Sequence, residues 1–102
     1  MSVKLLMNWD IKPGRDQDYF EFVVREWVPG ITKMGIEPVM AWYTVYSSGA
    51  TPQIMAECLA EDLPTMREVL QSDEWQNLHE KLAEFVENYA HKVVRATGYW
   101  QM

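Results

Sequence analysis

"IEPVMAWYTVYSSGATPQIMAECLAE", residues 36–61, is the stretch on which the fold turns. In an extended chain Val39, Ala41, Tyr43 and Val45 share one face, and Met40, Trp42, Thr44 and Tyr46 share the other. A period of two is the mark of a strand. Both faces are largely apolar, which predicts a strand covered on both sides. "SSGATP" (47–52) supplies turn residues and "QIMAECLAE" (53–61) reads as a second strand, so the stretch is predicted to be a β-hairpin.

Helical patterns flank it. On the N-terminal side Phe20, Val23, Val24, Trp27, Ile31 and Met34 recur at spacings of three and four. Asp16 and Asp18 near the start suit the helix dipole, and Gly35 is a natural stop. The ring of Pro29 would clash with the Arg25 carbonyl, so a kink or break is expected near Val28. On the C-terminal side Leu63, Met66, Val69 and Leu70 form a short apolar stripe. Ser72 and Asp73 then suit the cap of a fresh helix, whose stripe is Trp75, Leu78, His79, Leu82, Phe85, Val86 and Tyr89.

Strands close both ends. Val3, Leu5, Met7, Trp9 and Ile11 alternate with Lys4, Leu6, Asn8 and Asp10, and Pro13-Gly14 ends the run. "HKVVRATGYWQ" (91–101) is predicted to be the last strand. The order is strand, helix, strand, strand, helix pair, strand. The predicted class is α+β, a ferredoxin-like βαββαβ domain with an antiparallel sheet, spanning 1–102 as one domain. Helices on one face would leave the other open, yet the strands are apolar on both. A homodimer with its two sheets face to face, a dimeric α/β barrel, resolves this.

Composition narrows the function. The net charge is −6, and the nine basic residues are scattered, so the dense positive footprint that nucleic acid requires is missing. An anionic membrane would repel such a chain, and no apolar run approaches spanning length. The opening "MSVKLLMNWD" is too short in apolar residues for a signal peptide. The lone Cys58 fits a reducing compartment and reads as a small buried hydrophobe. A cytoplasmic protein is expected. Hydrophobic residues make up 48% of the chain and five are tryptophans, more apolar surface than one small core needs. The surplus predicts an interface or a ligand cavity.

A few residues could carry chemistry. His79 shares the apolar stripe with Leu78 and Leu82, so it faces inward as a ligand or base in a pocket, or as a core histidine. Asn8 lies mid-strand, where asparagine is disfavoured; it either bonds a ligand in a polar cavity or faces solvent. Glu57 and Arg95 are expected to pair across the sheet or barrel. Trp9, Trp42, Trp75 and Trp100 either line an aromatic pocket or fill core and interface. His91 reads as a surface residue after the last helix, and Glu80 and Glu84 point away from the His79 stripe, so no structural metal is expected.

"KPG" after the first strand, "EPVMAWYTVYSSG" in the hairpin and "LQSDEWQNLHEKL" at the last helix give the chain a resemblance to a known group. It resembles the dimeric α/β-barrel superfamily, which includes antibiotic-biosynthesis monooxygenases, haem-degrading monooxygenases, EthD-like and NIPSNAP-like proteins. The resemblance places Asn8 where the monooxygenases carry a first-strand asparagine. It places His79 where the haem-degrading members carry their iron ligand. The tryptophan those enzymes hold before the Ser-Asp pair is Val69 here. The implied function is binding of a small apolar or aromatic molecule between helices and sheet, beside Trp9, Trp42, Val69 and Trp75. As an enzyme the chain would be a cofactor-independent monooxygenase, with Asn8 polarising the substrate and His79 as base. Two other readings stand beside it: a non-catalytic accessory or stress protein, and haem binding through His79.

Overall fold

The computed structural model describes residues 2–45 and 51–95. The elements are β1 (Val3–Ile11), α1 (Asp16–Phe22), a π-helical turn (Val23–Trp27), α2 (Val28–Lys33), β2 (Glu37–Tyr43), β3 (Ile54–Ala60), α3 (Leu63–Leu70), α4 (Asp73–Leu82) and β4 (Val86–Arg95). One antiparallel sheet runs in the order β2-β3-β1-β4. This is the expected ferredoxin-like α+β arrangement. The alternation read in the first strand is physical: Val3, Leu5, Met7, Trp9 and Ile11 are all buried, while the residues between them are not. Each odd side chain points under the helices, and each even one points to the open face of the sheet.

The first helical segment departs from its predicted stripe. Tyr19, Phe22, Trp27 and Ile31 are the buried residues, whereas Phe20 and Val24 are 44% and 71% exposed. The π turn explains the shift. It inserts one residue, so the step from Phe22 to Trp27 is five rather than four, and the stripe rotates to keep its large rings inward. The break expected at Pro29 also takes this form. The Val28 amide bonds the Val23 carbonyl five residues back, and the widened turn accommodates a proline with no amide of its own. Gly35 stops the segment at φ +94°, a conformation glycine takes without strain. Gly30 has a different purpose: a Cβ there would sit 2.8 Å from Leu78 Cδ2, so its absence lets α2 lie close to α4.

Both later helices start on side-chain caps. Asp62 Oδ1 accepts from the Thr65 amide at 2.9 Å, and Ser72 Oγ accepts from the Trp75 amide at 3.2 Å. The second of these helices is shorter than its stripe suggested. It ends at Leu82, and the last strand begins at Val86, before the predicted start at His91. Phe85 therefore lies in the connecting turn, and Val86 and Tyr89 lie on β4. A bulge is responsible. The register to β1 slips between Asn8 and Asp10, and Asn88 sits at φ +57°. Val86 and Tyr89, three apart, both reach the helix side, which imitates a helical spacing.

The hairpin forms as β2 and β3, but β2 is an edge strand and all seven of its residues are exposed in the single chain. Cover on both sides is thus a property the isolated protomer does not provide. Tyr46 and Trp100 lie outside the described residues.

Candidate functional site

The helix side of the sheet holds an aromatic cluster. Trp9 stacks on Tyr89 at a centroid distance of 5.7 Å and meets Trp27 edge-on at 6.0 Å. Trp27 in turn packs on Trp75 at 5.6 Å. The cluster is anchored by Trp9 Nε1, which donates to the Tyr19 hydroxyl at 2.9 Å. Beside it, a cleft of about 260 Å³ opens between the π turn with α2 and the strands β2 and β3. Its wall is almost wholly apolar and includes Trp9, Tyr19, Trp27, Ile31, Ile54 and Cys58, with Val28 and Val39 also lining it. A π turn in the wall is notable, because such turns concentrate at functional sites.

The polar atoms of this cleft are held away from neutral-pH proton transfer. Burial pushes the Tyr19 phenol up to about 12, partly offset by the Trp9 hydrogen bond. Burial and then the Glu57 charge push the Cys58 thiol up to about 11. Both groups stay protonated at neutral pH. The thiol is a buried apolar filler, and the phenol keeps its own O–H to donate.

The predicted site residues divide between two faces. Trp9 is in the cleft wall, and Trp75 is buried behind it against Trp27. Val69 is buried on α3, where its carbonyl accepts from Ser72 Oγ at 2.6 Å. His79 lies on α4 between Trp75, at 6.1 Å, and Tyr89, whose ring it meets edge-on at 4.4 Å. Asn8 and Trp42 point the other way, into a trough of about 670 Å³ on the open face. The sheet itself therefore separates Asn8 from His79 within a protomer, and no single molecule on one face touches both. Glu57 does not pair with Arg95; it pairs with Lys4 on the neighbouring strand at 3.0 Å. His91 is not a helix-end residue but an exposed position on β4, with Nδ1 3.0 Å from the Tyr89 hydroxyl. Trp27 and Tyr19, central to the cleft, escaped selection as site residues: the extra residue of the π turn hid Tyr19, and Trp27 read as ordinary core.

His79 has one peculiarity. Its Nδ1 is buried with no hydrogen-bond partner among the described residues. Burial pushes its pKa down, the His91 charge pushes the same way, and Glu80 opposes both. An axial haem ligand needs an open face before it. His79 instead has aromatic rings on two sides and lines neither the cleft nor the trough, so its surroundings do not fit haem. Among the described residues no three His, Cys, Asp or Glu side chains converge on a metal position. The lowered pKa has a stability consequence. The folded state holds His79 neutral, while the unfolded chain takes up its proton near the ordinary value of 6.5. Its contribution is complete above pH 6.5 and is lost as pH falls toward the lower folded-state value. The urea midpoint is expected to drop on acidification below pH 6.5, and His79→Gln should flatten that slope. An identical slope in the variant would assign it to other groups.

No family model matches the chain, and no curated protein matches it. Solved structures do. An ethyl tert-butyl ether d (EthD) family protein from Bacillus halodurans superposes with a TM-score of 0.74 at 18% identity, over 95% of this chain and 100% of that one. A NIPSNAP family protein from Agrobacterium tumefaciens gives 0.71 at 14% identity, over 97% and 89%. A dimeric protein of unknown function and ferredoxin-like fold from Bacteroides fragilis gives 0.61 at 15%, over 93% and 96%. At such identities the likeness is one of fold. The fold is the ferredoxin-like α+β fold. No helix among the described residues is long and apolar enough to cross a membrane.

Proposed function

We propose that the chain is a homodimeric binding protein for a small neutral aromatic or apolar molecule, held in the helix-side cleft of each protomer. The observation that carries this is the cleft itself: an apolar, aromatic-walled space whose one well-placed polar group is the Tyr19 hydroxyl. Ligand sites commonly have this composition, apolar walls with few convergent polar atoms. Dimerisation through the open sheet face is supported by the exposure of Met40, Trp42 and Met55 in the single chain. The Bacteroides fragilis neighbour, described as dimeric, supports it too.

Binding without turnover is favoured over the cofactor-independent monooxygenase. That reaction would need Asn8 and His79 on one substrate, and the sheet lies between them. Neither Tyr19 nor Cys58 is poised to accept a proton in their place. The non-catalytic accessory role is therefore the closer fit.

Calorimetric titration with 2-naphthalenemethanol tests the site. Val28 lines the cleft and is 38% exposed, so Val28→Trp should obstruct the cleft while the core stays intact. The wild type is expected to bind the alcohol, and Val28→Trp to bind it at least tenfold more weakly. Equal binding by the two proteins would place the ligand elsewhere.

A further inference from the structure

The hydroxyl that anchors the aromatic cluster has a proton it does not spend. Tyr19 Oη accepts the single N–H of Trp9 at 2.9 Å, so the indole has nothing left to give. The phenol's own O–H finds no acceptor among the described residues. Tyr19 is 3% exposed, and both partners of this bond line the cleft, so the O–H sits in the cleft wall, away from bulk water. Burial pushes the phenol up to about 12, which keeps the proton on it at neutral pH. A buried donor left without an acceptor costs more than a made hydrogen bond gains.

The rest of the wall narrows what would answer that donor. The Cys58 thiol is also held protonated, by burial first, and is a second, weaker donor. Met7 and Met40 offer only thioether sulfur, a weak acceptor. None of the described lining residues is Lys, Arg or His. The one acid, Glu57, directs its carboxylate to Lys4 at 3.0 Å, on the open face of the sheet. A carboxylate ligand would therefore be an unpaired charge in an apolar space. An alcohol could accept from Tyr19, but it brings a donor of its own. Apart from the phenol oxygen, only thioethers stand ready among the wall side chains to receive it. The matching group is an acceptor with no proton to place.

We infer that the cleft selects a small aromatic carbonyl compound, a ketone or aldehyde, whose oxygen takes the Tyr19 O–H. The inference rests on the proposed binding role of the cleft and names the functional group that this role reads. A volume of about 260 Å³ suits one or two fused rings. The Trp9 bond contributes twice: it fixes the phenol oxygen in place, and by donating to that oxygen it strengthens the O–H as a donor.

The test compares 2-acetonaphthone with 2-isopropenylnaphthalene, which has the same shape with a methylene in place of the carbonyl oxygen. Both are titrated by calorimetry into the full chain. The wild type is expected to bind the ketone about tenfold more tightly, and Val28→Trp to weaken both. Tyr19→Phe keeps the ring and should bring the two ligands to equal affinity. The infrared C=O stretch of the bound ketone is the second readout. In the wild type it should lie below its position in cyclohexane, and Tyr19→Phe should move it back. Equal affinities in the wild type, or a carbonyl band unchanged by Tyr19→Phe, overturn the inference; if Val28→Trp still blocks both ligands, the cleft reading stands. Ligands that bind the wild type and Val28→Trp alike, or that do not bind at all, overturn both.

Discussion

Trp27→Ala is expected to cost about 3–5 kcal/mol of folding stability, the range for deleting a buried large aromatic. Trp27 is 3% exposed and touches Trp9, Phe22 and Trp75 at once, so its loss opens a hole where α1, α2, α4 and β1 meet. A domain of this size is stable by roughly 5–15 kcal/mol, so the variant stands near the edge of unfolding. With a urea m-value of about 2 kcal/mol per M, the midpoint should fall by roughly 2 M. Val24→Ala is the control. It alters the same π turn at a residue 71% exposed, and should change stability by no more than about 0.5 kcal/mol. A Trp27→Ala midpoint within about 0.5 M of wild type would show that the neighbouring rings close the gap, and with it the cleft they wall. The same substitution thus measures how rigidly the cleft is preformed.

The placement of Trp27 also shows where a sequence stops being readable. The strand β1 was transparent because a two-residue period tolerates no ambiguity: shifting it by one would turn every buried residue outward. The Ser72 cap was equally plain, since a serine before a charged first turn has one common use. Two local irregularities defeated the pattern elsewhere. The π turn added a residue between Phe22 and Trp27, so spacings of three and four selected Phe20 and Val24, which face solvent. The bulge at Asn88 did the reverse, giving a strand the spacing of a helix between Val86 and Tyr89. No capping glycine follows Leu82 to mark the true end; three turn amides bond back to His79, Lys81 and Leu82 instead. The site was harder still. His79 reads as inward and Asn8 as facing either a polar cavity or solvent, but which side of a sheet is inward depends on which face is covered. A strand apolar on both faces withholds that information.

The covering of that second face leads to the other large effect. Met55→Glu is expected to convert the proposed homodimer to a monomer. Met55 is on β3, an inner strand, facing the open side and 41% exposed. Its register neighbours Trp42 and Asn8 carry no charge, so a glutamate there finds no cation across either strand. In the protomer the new carboxylate is hydrated and costs little, within about 1 kcal/mol. Between two sheets it would be an unpaired buried charge, and an interface pays several kcal/mol for each. A two-fold interface carries the substitution twice, so the dimer constant should weaken by well over a hundredfold. Light scattering would then report half the mass, with a helical and strand circular dichroism signal equal to wild type. A variant that keeps the dimer mass would move the interface off this face. A wild type already monomeric would leave Trp42 and Met55 facing water.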